Sequence, residues 1–385
     1  MKSADRCFHR CHLWLLLLLL LLALPGAASR AQTNPVPDNL ISPEVLADGR
    51  VTFRVRAGAA TNVSLLGDWM DQTKPERLMR GPAEVWSLTV GPLDTGASIY
   101  VFNIDGVTGP DPVNPRIKLR ARTSASVVEV PGQPPELWEA RDVPHGTVEI
   151  NWAASQVTGD TRAYYVYTPP GYAAHPEVKY PVLCLLHGNN DTAAGWTDIG
   201  RANFILDNLI AEHRAVPMVI VMPWGHALPY TGPQSNNTAL VERYLLTEVL
   251  PQVTAKYRVL ADREHRAIVG LSMGGGHALQ IGLSHLDQFS AVAAFSSAVP
   301  GQFSERFQDL LAHPESVNER LHLLWIGCGR QDPAFSRNED LARLLKDHRI
   351  RTSFQAMPGR HNYAVWRRCL AQVAPLLFQP ATGRP

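Results

Sequence analysis

Ser272 stands between two glycines in Gly270-Leu-Ser-Met-Gly274, and Gly275 and Gly276 follow directly. A serine hydroxyl becomes a nucleophile when a base takes its proton, and that base needs a third group to fix its tautomer. The pentapeptide alone is a weak signal, but its surroundings are stronger. Arg266-Ala-Ile-Val269 reads as a short buried strand, and His277-Ala-Leu-Gln-Ile-Gly-Leu283 continues as a helix. A sharp turn between such elements projects a strained serine at the sheet edge, and flanking glycines let the backbone crowd around it. The bland alternative is a plain glycine-rich turn.

Where such a turn carries a nucleophile, the acid and then the histidine follow it along the chain. Asp332 comes after the apolar run 321–326 through Gly327-Cys-Gly-Arg-Gln, which puts it at the carboxyl end of a strand, the edge the turn also faces. Its competing role is a turn-forming aspartate before Pro333. Asp287, Asp340 and Asp347 read as solvated helix charges. For the base, His361 follows the strand-like stretch 352–357 in a Pro358-Gly-Arg-His loop. His277 is a rival, expected behind the site or exposed, whereas His313, His322 and His348 have structural contexts. A tetrahedral oxyanion needs two backbone N–H donors. Met273 should supply one. The loop His187-Gly188-Asn189-Asn190 should supply the other, with Asn189 preferred over Asn190 and His187 bracing the loop.

The elements that must position these residues divide at about residue 145. Before it, Val51-Thr-Phe-Arg-Val-Arg56 alternates apolar and polar residues, and short strand patterns recur at 62–66, 85–90 and 99–104 between Gly, Pro and Asp. That spacing predicts a small all-β sandwich over 38–130. Residues 131–144 carry several prolines and read as a semi-rigid linker crossed by few contacts, so 145–378 is expected to fold and act alone. After residue 145, fully apolar runs at 182–186, 218–222, 267–269, 291–295 and 323–326 alternate with helical patterns at 203–211, 238–256 and 339–346. Strands apolar on both faces predict a mostly parallel sheet with helices on both sides, an α/β architecture. Ser336 and Glu339 form a capping-box pattern for the last of these helices.

Residues 1–31 are expected to lie outside the fold. Lys2, Arg6 and Arg10 precede a nearly pure leucine run from Leu13 to Leu24, and small residues follow up to Ala31. This is the pattern of a signal peptide, too short for an ordinary membrane span, and it predicts a secreted or periplasmic protein. Cleavage there removes four basic residues and one acid, leaving 32 against 34, formally −2. That balance argues against nucleic acid or an anionic membrane as partner. Cys184, Cys328 and Cys369 remain, an odd number without tight spacing. Cys184 reads as core, and whether Cys328 and Cys369 pair is left open. No motif calls for a metal or cofactor.

The span from His145 to about Pro375 resembles the carbohydrate esterase family 1 group, the esterase D-like α/β-hydrolases, and within it the feruloyl esterase domains of bacterial xylanase systems. The likeness rests on Leu185-Leu-His-Gly188, on the block from Arg201 to Glu212, on that from Asp262 to Gly276, on Cys328-Gly-Arg-Gln-Asp332 and on Gly359-Arg-His-Asn-Tyr-Ala-Val-Trp366. It implies an α/β-hydrolase fold with Ser272, Asp332 and His361 as the triad. Residues 40–130 resemble the early-set, immunoglobulin-like module that precedes many such esterases, through Asn103-Ile-Asp-Gly-Val107 and Asp111-Pro-Val-Asn-Pro115. Related modules bind glycans. Here Trp69, Trp86 and Tyr100 are candidates for a stacking platform, against the plainer reading of a packed core. The implied activity is hydrolysis of feruloyl esters on plant polysaccharide. Acetyl xylan esters and siderophore esters are the alternatives, and a non-catalytic glycan-binding role is disfavoured. Trp224 and Trp366 are candidates to line the substrate cleft.

Overall fold

The computed structural model describes residues 39–229 and 237–379, so the expected signal peptide lies outside the described residues. A hairpin of Thr147–Ala154 (β1) and Thr161–Thr168 (β2) opens an eight-stranded sheet. Val182–Leu186 (β3), Val219–Met222 (β4), Arg266–Leu271 (β5), Ala291–Phe295 (β6), Leu323–Gly329 (β7) and Ser353–Met357 (β8) complete it. The spatial order is β1-β2-β4-β3-β5-β6-β7-β8. The first two pairings are antiparallel and the other five parallel. All residues of β3 to β7 are buried, as strands covered on both faces require.

Helices Ala202–Ala211 (α1), Asn237–Tyr244 (α2), Met273–Ser284 (α3), Phe335–Asp347 (α4) and Tyr363–Val373 (α5) supply much of that cover. Alternate residues of one strand reach opposite layers. Cys184 and Ile268 join Leu279 of α3 and Leu345 of α4, while Leu185 and Val269 join Leu206 of α1 and Leu370 of α5. Each fully buried leucine or isoleucine contributes roughly 1.5–3 kcal/mol over exposure.

One element was missed and two local expectations need correction. The β1–β2 hairpin escaped the apolar-run criterion because it lies at the sheet margin and mixes Thr, Glu, Asn and Arg with apolar residues. The helical pattern at 238–256 is interrupted by a π-turn at Leu245–Val249, since Pro251 has no N–H for the carbonyl four residues back. Ser336 does not cap α4. The helix starts two residues earlier than a Ser336 cap requires, with Ala334 at its N-cap, and the Asp332 side chain accepts the Ala334 N–H at 2.7 Å.

The N-terminal strands form two antiparallel sheets. One holds Glu44–Val45, Val51–Arg56, Val85–Val90 and Met79–Arg80, and the other is built on Val63–Gly67, Gly96–Ile104 and Ala125–Val130. Phe53, Leu65, Trp86, Tyr100, Phe102 and Val128 fill the space between them. Trp86 and Tyr100 are 4% and 1% exposed, and Trp69 stacks on Phe53 at 5.8 Å. Trp86 and Tyr100 are therefore core, and Trp69 is half-buried against that core.

The linker expectation also fails, because these sheets and the hydrolase sheet belong to one compact unit that begins at Leu40. Asn208 of α1 donates to the carbonyls of Leu137 and Glu139 at 2.8 and 2.9 Å, and Arg141 pairs with Glu212 at 2.8 Å. Arg367 of α5, fully buried, donates to the Ala97 carbonyl at 2.7 Å, and Ala97 and Val127 pack in the same layer as Trp196 and Trp366. Prolines stiffened the connecting segment without freeing it from its neighbours. Cys184, Cys328 and Cys369 are all free and buried. Among the described residues, no helix is long and apolar enough to cross a membrane, and no group of three acidic, His or Cys side chains forms a metal site.

Candidate active site

The chain turns from β5 into α3 at Ser272, which takes φ +52° and ψ −117°, a region that side chains other than glycine rarely adopt. The turn is fixed by the Ser272 N–H on the Phe295 carbonyl and by the Gly276 and Ala298 N–H groups on the Ser272 carbonyl, at 2.8, 3.0 and 2.9 Å. Both flanking glycines are sterically required. A Cβ on Gly270 would lie 2.2 Å from the Gly274 carbonyl oxygen, and one on Gly274 would lie 2.4 Å from that of His187.

His361 follows β8 and brings Nε2 to 2.9 Å from Ser272 Oγ. Its Nδ1 lies 2.8 and 3.0 Å from the two carboxylate oxygens of Asp332, in the loop after β7. With Nδ1–H donated to Asp332, Nε2 is left as the acceptor for the serine proton, the tautomer that general-base chemistry needs. The Asp332 side chain is fully buried. Burial by itself raises its pKa, but the hydrogen bond and charge of His361, the Ser296 hydroxyl and the Ala334 N–H together hold it below the usual carboxylate value.

Met273 is the first residue of α3, so its N–H has no acceptor within the helix. Asn189 and Asn190 are exposed and line the same cavity as Ser272, and Gly188 lies against Ser272 closely enough that a Cβ there would be 3.4 Å from the serine Cβ. His187 does brace this loop. Its Nδ1–H donates to the Gly188 carbonyl at 2.8 Å and its Nε2 accepts the Gly225 N–H at 2.8 Å. Burial pushes its pKa down to about 4, so the ring is neutral. His277 is buried rather than exposed, held at 3.0 Å by Thr238 behind the turn.

The cavity over Ser272 measures about 670 Å³. Trp366 lines it, with its ring edge-on to His361 at 5.1 Å and its Nε1 buried without a hydrogen-bond partner among the described residues. Trp224 does not line it. That ring sits on the far side of the His187 loop, edge-on to His187 at 6.3 Å, in a separate cleft.

The residues missed by sequence reasoning come from the N-terminal part of the chain, since Ile99 and Lys118 of its strands and Asp68, Gln72 and Arg120 of its loops all line the Ser272 cavity. Asp68 is half-buried, its Oδ1 has no hydrogen-bond partner among the described residues, and its backbone carbonyl accepts from Asn362, the residue after His361, at 3.0 Å. Lys118 forms a buried ion pair with Asp191, whose other oxygen takes the Tyr363 hydroxyl at 2.5 Å. Nothing in the local sequence of these residues marks them, because only the tertiary packing of the two parts brings them to the cavity.

A strained serine on a strand-to-helix turn, relayed through a histidine to a buried carboxylate, is the geometry of serine ester hydrolases. The chain belongs to the putative esterase family, whose model matches residues 155–377. It is 28% identical over 344 residues to an endo-1,4-beta-xylanase/feruloyl esterase of Xylanibacter ruminicola, a match taking in 88% of this chain and 46% of that one. The chain thus spans about half the length of that relative. A solved ferulic acid esterase is 28% identical with a TM-score of 0.53, covering 61% of this chain and 98% of its own. The enterobactin esterase of Shigella flexneri, solved in the presence of enterobactin, is 18% identical with a TM-score of 0.64. It covers 86% of this chain and 93% of its own, a likeness of fold that extends into the N-terminal sheets.

Proposed function

We propose that this protein is a secreted or periplasmic serine carboxylesterase that hydrolyses feruloyl, or hydroxycinnamoyl, esters on plant cell-wall polysaccharide. The observation that carries the reaction type is His361 Nε2 at 2.9 Å from Ser272 Oγ, with Nδ1 on Asp332. The acyl group is argued from the 28% identity to proteins named as feruloyl and ferulic acid esterases. Export is argued from the charged and leucine-rich pattern of residues 1–31.

In this mechanism Ser272 Oγ attacks the ester carbonyl as His361 Nε2 takes its proton. The oxyanion is held by the N–H groups of Met273 and Asn189. His361 then gives the proton to the departing sugar oxygen, leaving a feruloyl-Ser272 ester. Water, deprotonated by the same imidazole, releases the acid. Asp332 stays ionised throughout, orienting the imidazole and stabilising the imidazolium.

A second reading is hydrolysis of a catecholate siderophore ester, whose phenolic ring suits the Arg120 and Arg337 cations along the cavity as well as a ferulate ring does. Turnover on methyl ferulate, acetylated xylan and a catecholate trilactone separates the readings. The proposal expects the highest kcat/KM on methyl ferulate, and a preference for the trilactone would replace it with the second reading.

A further inference from the structure

The His187–Asn190 loop separates two clefts, of which the Ser272 cavity is one. The other, of about 450 Å³, is lined by Trp152 of β1, Trp224 after β4, Thr158, Asp160 and Arg162 of the β1–β2 hairpin, and Ala121 of the loop before Ala125–Val130. Trp152 is 71% exposed and Ile150, two residues before it on the same face of β1, is 53% exposed, a contiguous apolar patch of the kind that marks a binding surface. Trp224 is half-buried and its ring is steadied against His187.

The same cleft holds a fixed polar pair. Arg162 Nε and Nη2 donate to the two Asp160 oxygens at 2.8 and 2.7 Å, and its Nη1 donates to the His226 carbonyl at 2.7 Å. Thr158 adds its hydroxyl to Asp160 at 2.6 Å. The guanidinium is largely shielded, with 11% of the side chain exposed, while 53% of Asp160 remains open. Aromatic faces beside a braced carboxylate suit a sugar ring, whose C–H face packs on indole while its hydroxyls donate to the acid.

The clefts adjoin. Arg120 lines the first and Ala121 the second, and His226 of the second cleft hydrogen-bonds the Asn189 carbonyl at the wall of the first. An ester seated at Ser272 with a polymeric alcohol must let that chain leave the cavity, and this adjoining cleft offers a route bearing exposed tryptophan. We infer that the Trp152–Trp224 cleft is a sugar subsite holding the glycan chain of a polysaccharide-borne ester. The identity of the chain as a plant xylan rests on the function proposed above. The sugar site itself rests on the cleft.

The test uses the full chain with Ser272→Ala, so that binding is read without turnover, with and without Trp152→Ala. The probe is ester-free xylohexaose by calorimetry, together with retardation in arabinoxylan gels. Wild-type Trp152 should bind and Trp152→Ala should weaken binding roughly tenfold, with Trp152→Phe restoring most of it. In the active enzyme, Trp152→Ala should lower the ratio of kcat/KM on feruloylated arabinoxylan to that on methyl ferulate, mainly through KM. Binding indifferent to Trp152, or no binding, would overturn the sugar site. So would sedimentation showing that Trp152 and the neighbouring exposed Ile150 instead join two copies through the β1 edge. Trp152-dependent sugar binding by an enzyme inert on methyl ferulate would overturn the feruloyl reading and leave the subsite standing.

Discussion

Lys118 and Asp191 form an ion pair with 1% and 8% of their side chains exposed, joining the N-terminal sheets to the loop that follows β3. Removing one partner of a buried pair strands the other charge, at a cost of about 3–5 kcal/mol. Lys118→Met should therefore lower the denaturation midpoint sharply. Lys118→Met with Asp191→Asn should recover part of the loss, because the second change removes the stranded charge. A single variant as stable as wild type by urea denaturation would show that the pair is not what holds this junction.

That junction reverses the expectation for truncation. A chain beginning near Val143 would expose the layer where Ala97 and Val127 pack and would remove Asp68, Lys118 and Arg120 from the cavity wall. It should be poorly soluble, or should lose most of its activity on p-nitrophenyl acetate. Soluble expression with nearly unchanged kcat would mean that the N-terminal sheets are dispensable for the ester site.

Burial pushes the Asp68 carboxyl up to about 7, even though the Arg367 charge opposes the shift. An acid with a raised pKa in the folded state holds its proton between the unfolded value near 4 and about 7, while the unfolded chain has lost it. Stability therefore falls as pH rises through that window and stays reduced above it. Asp68→Asn removes the penalty, so its Tm should rise relative to wild type at pH 8 and barely differ at pH 4. An equal shift at both pH values would point to packing instead of titration.

Asp332→Asn should keep His361 in place but favour the tautomer with its proton on Nε2, lowering kcat by roughly 10³ to 10⁴. Asp340, exposed on α4, is the control. If Asp332→Asn were benign and Asp340→Asn severe, the relay would run through a different carboxylate.

The parallel core was legible because β3 to β7 are apolar on both faces, and Ser272, Asp332 and His361 were legible because each lies in a loop just past a strand end. The β1–β2 hairpin was not, since a margin strand keeps polar residues and loses the apolar run. That Trp224 lines the adjoining cleft and not the Ser272 cavity was not legible, because distance along the chain from Pro223 does not tell which side of the His187 loop a ring occupies. Lys118 and Asp68 were invisible for a further reason. Each looks like an ordinary surface charge until residues far along the chain, Asp191 and Asn362, close around it.

The role of Ser272 as nucleophile is read most plainly in kcat for purified, folded Ser272→Ala on methyl ferulate. Losing the nucleophile of a serine–histidine–aspartate relay costs about 10⁴-fold or more in kcat, because the remaining groups have no acyl acceptor to activate. The expected result is a loss of that size with an unchanged Tm. A variant that retained a tenth of wild-type turnover would contradict it.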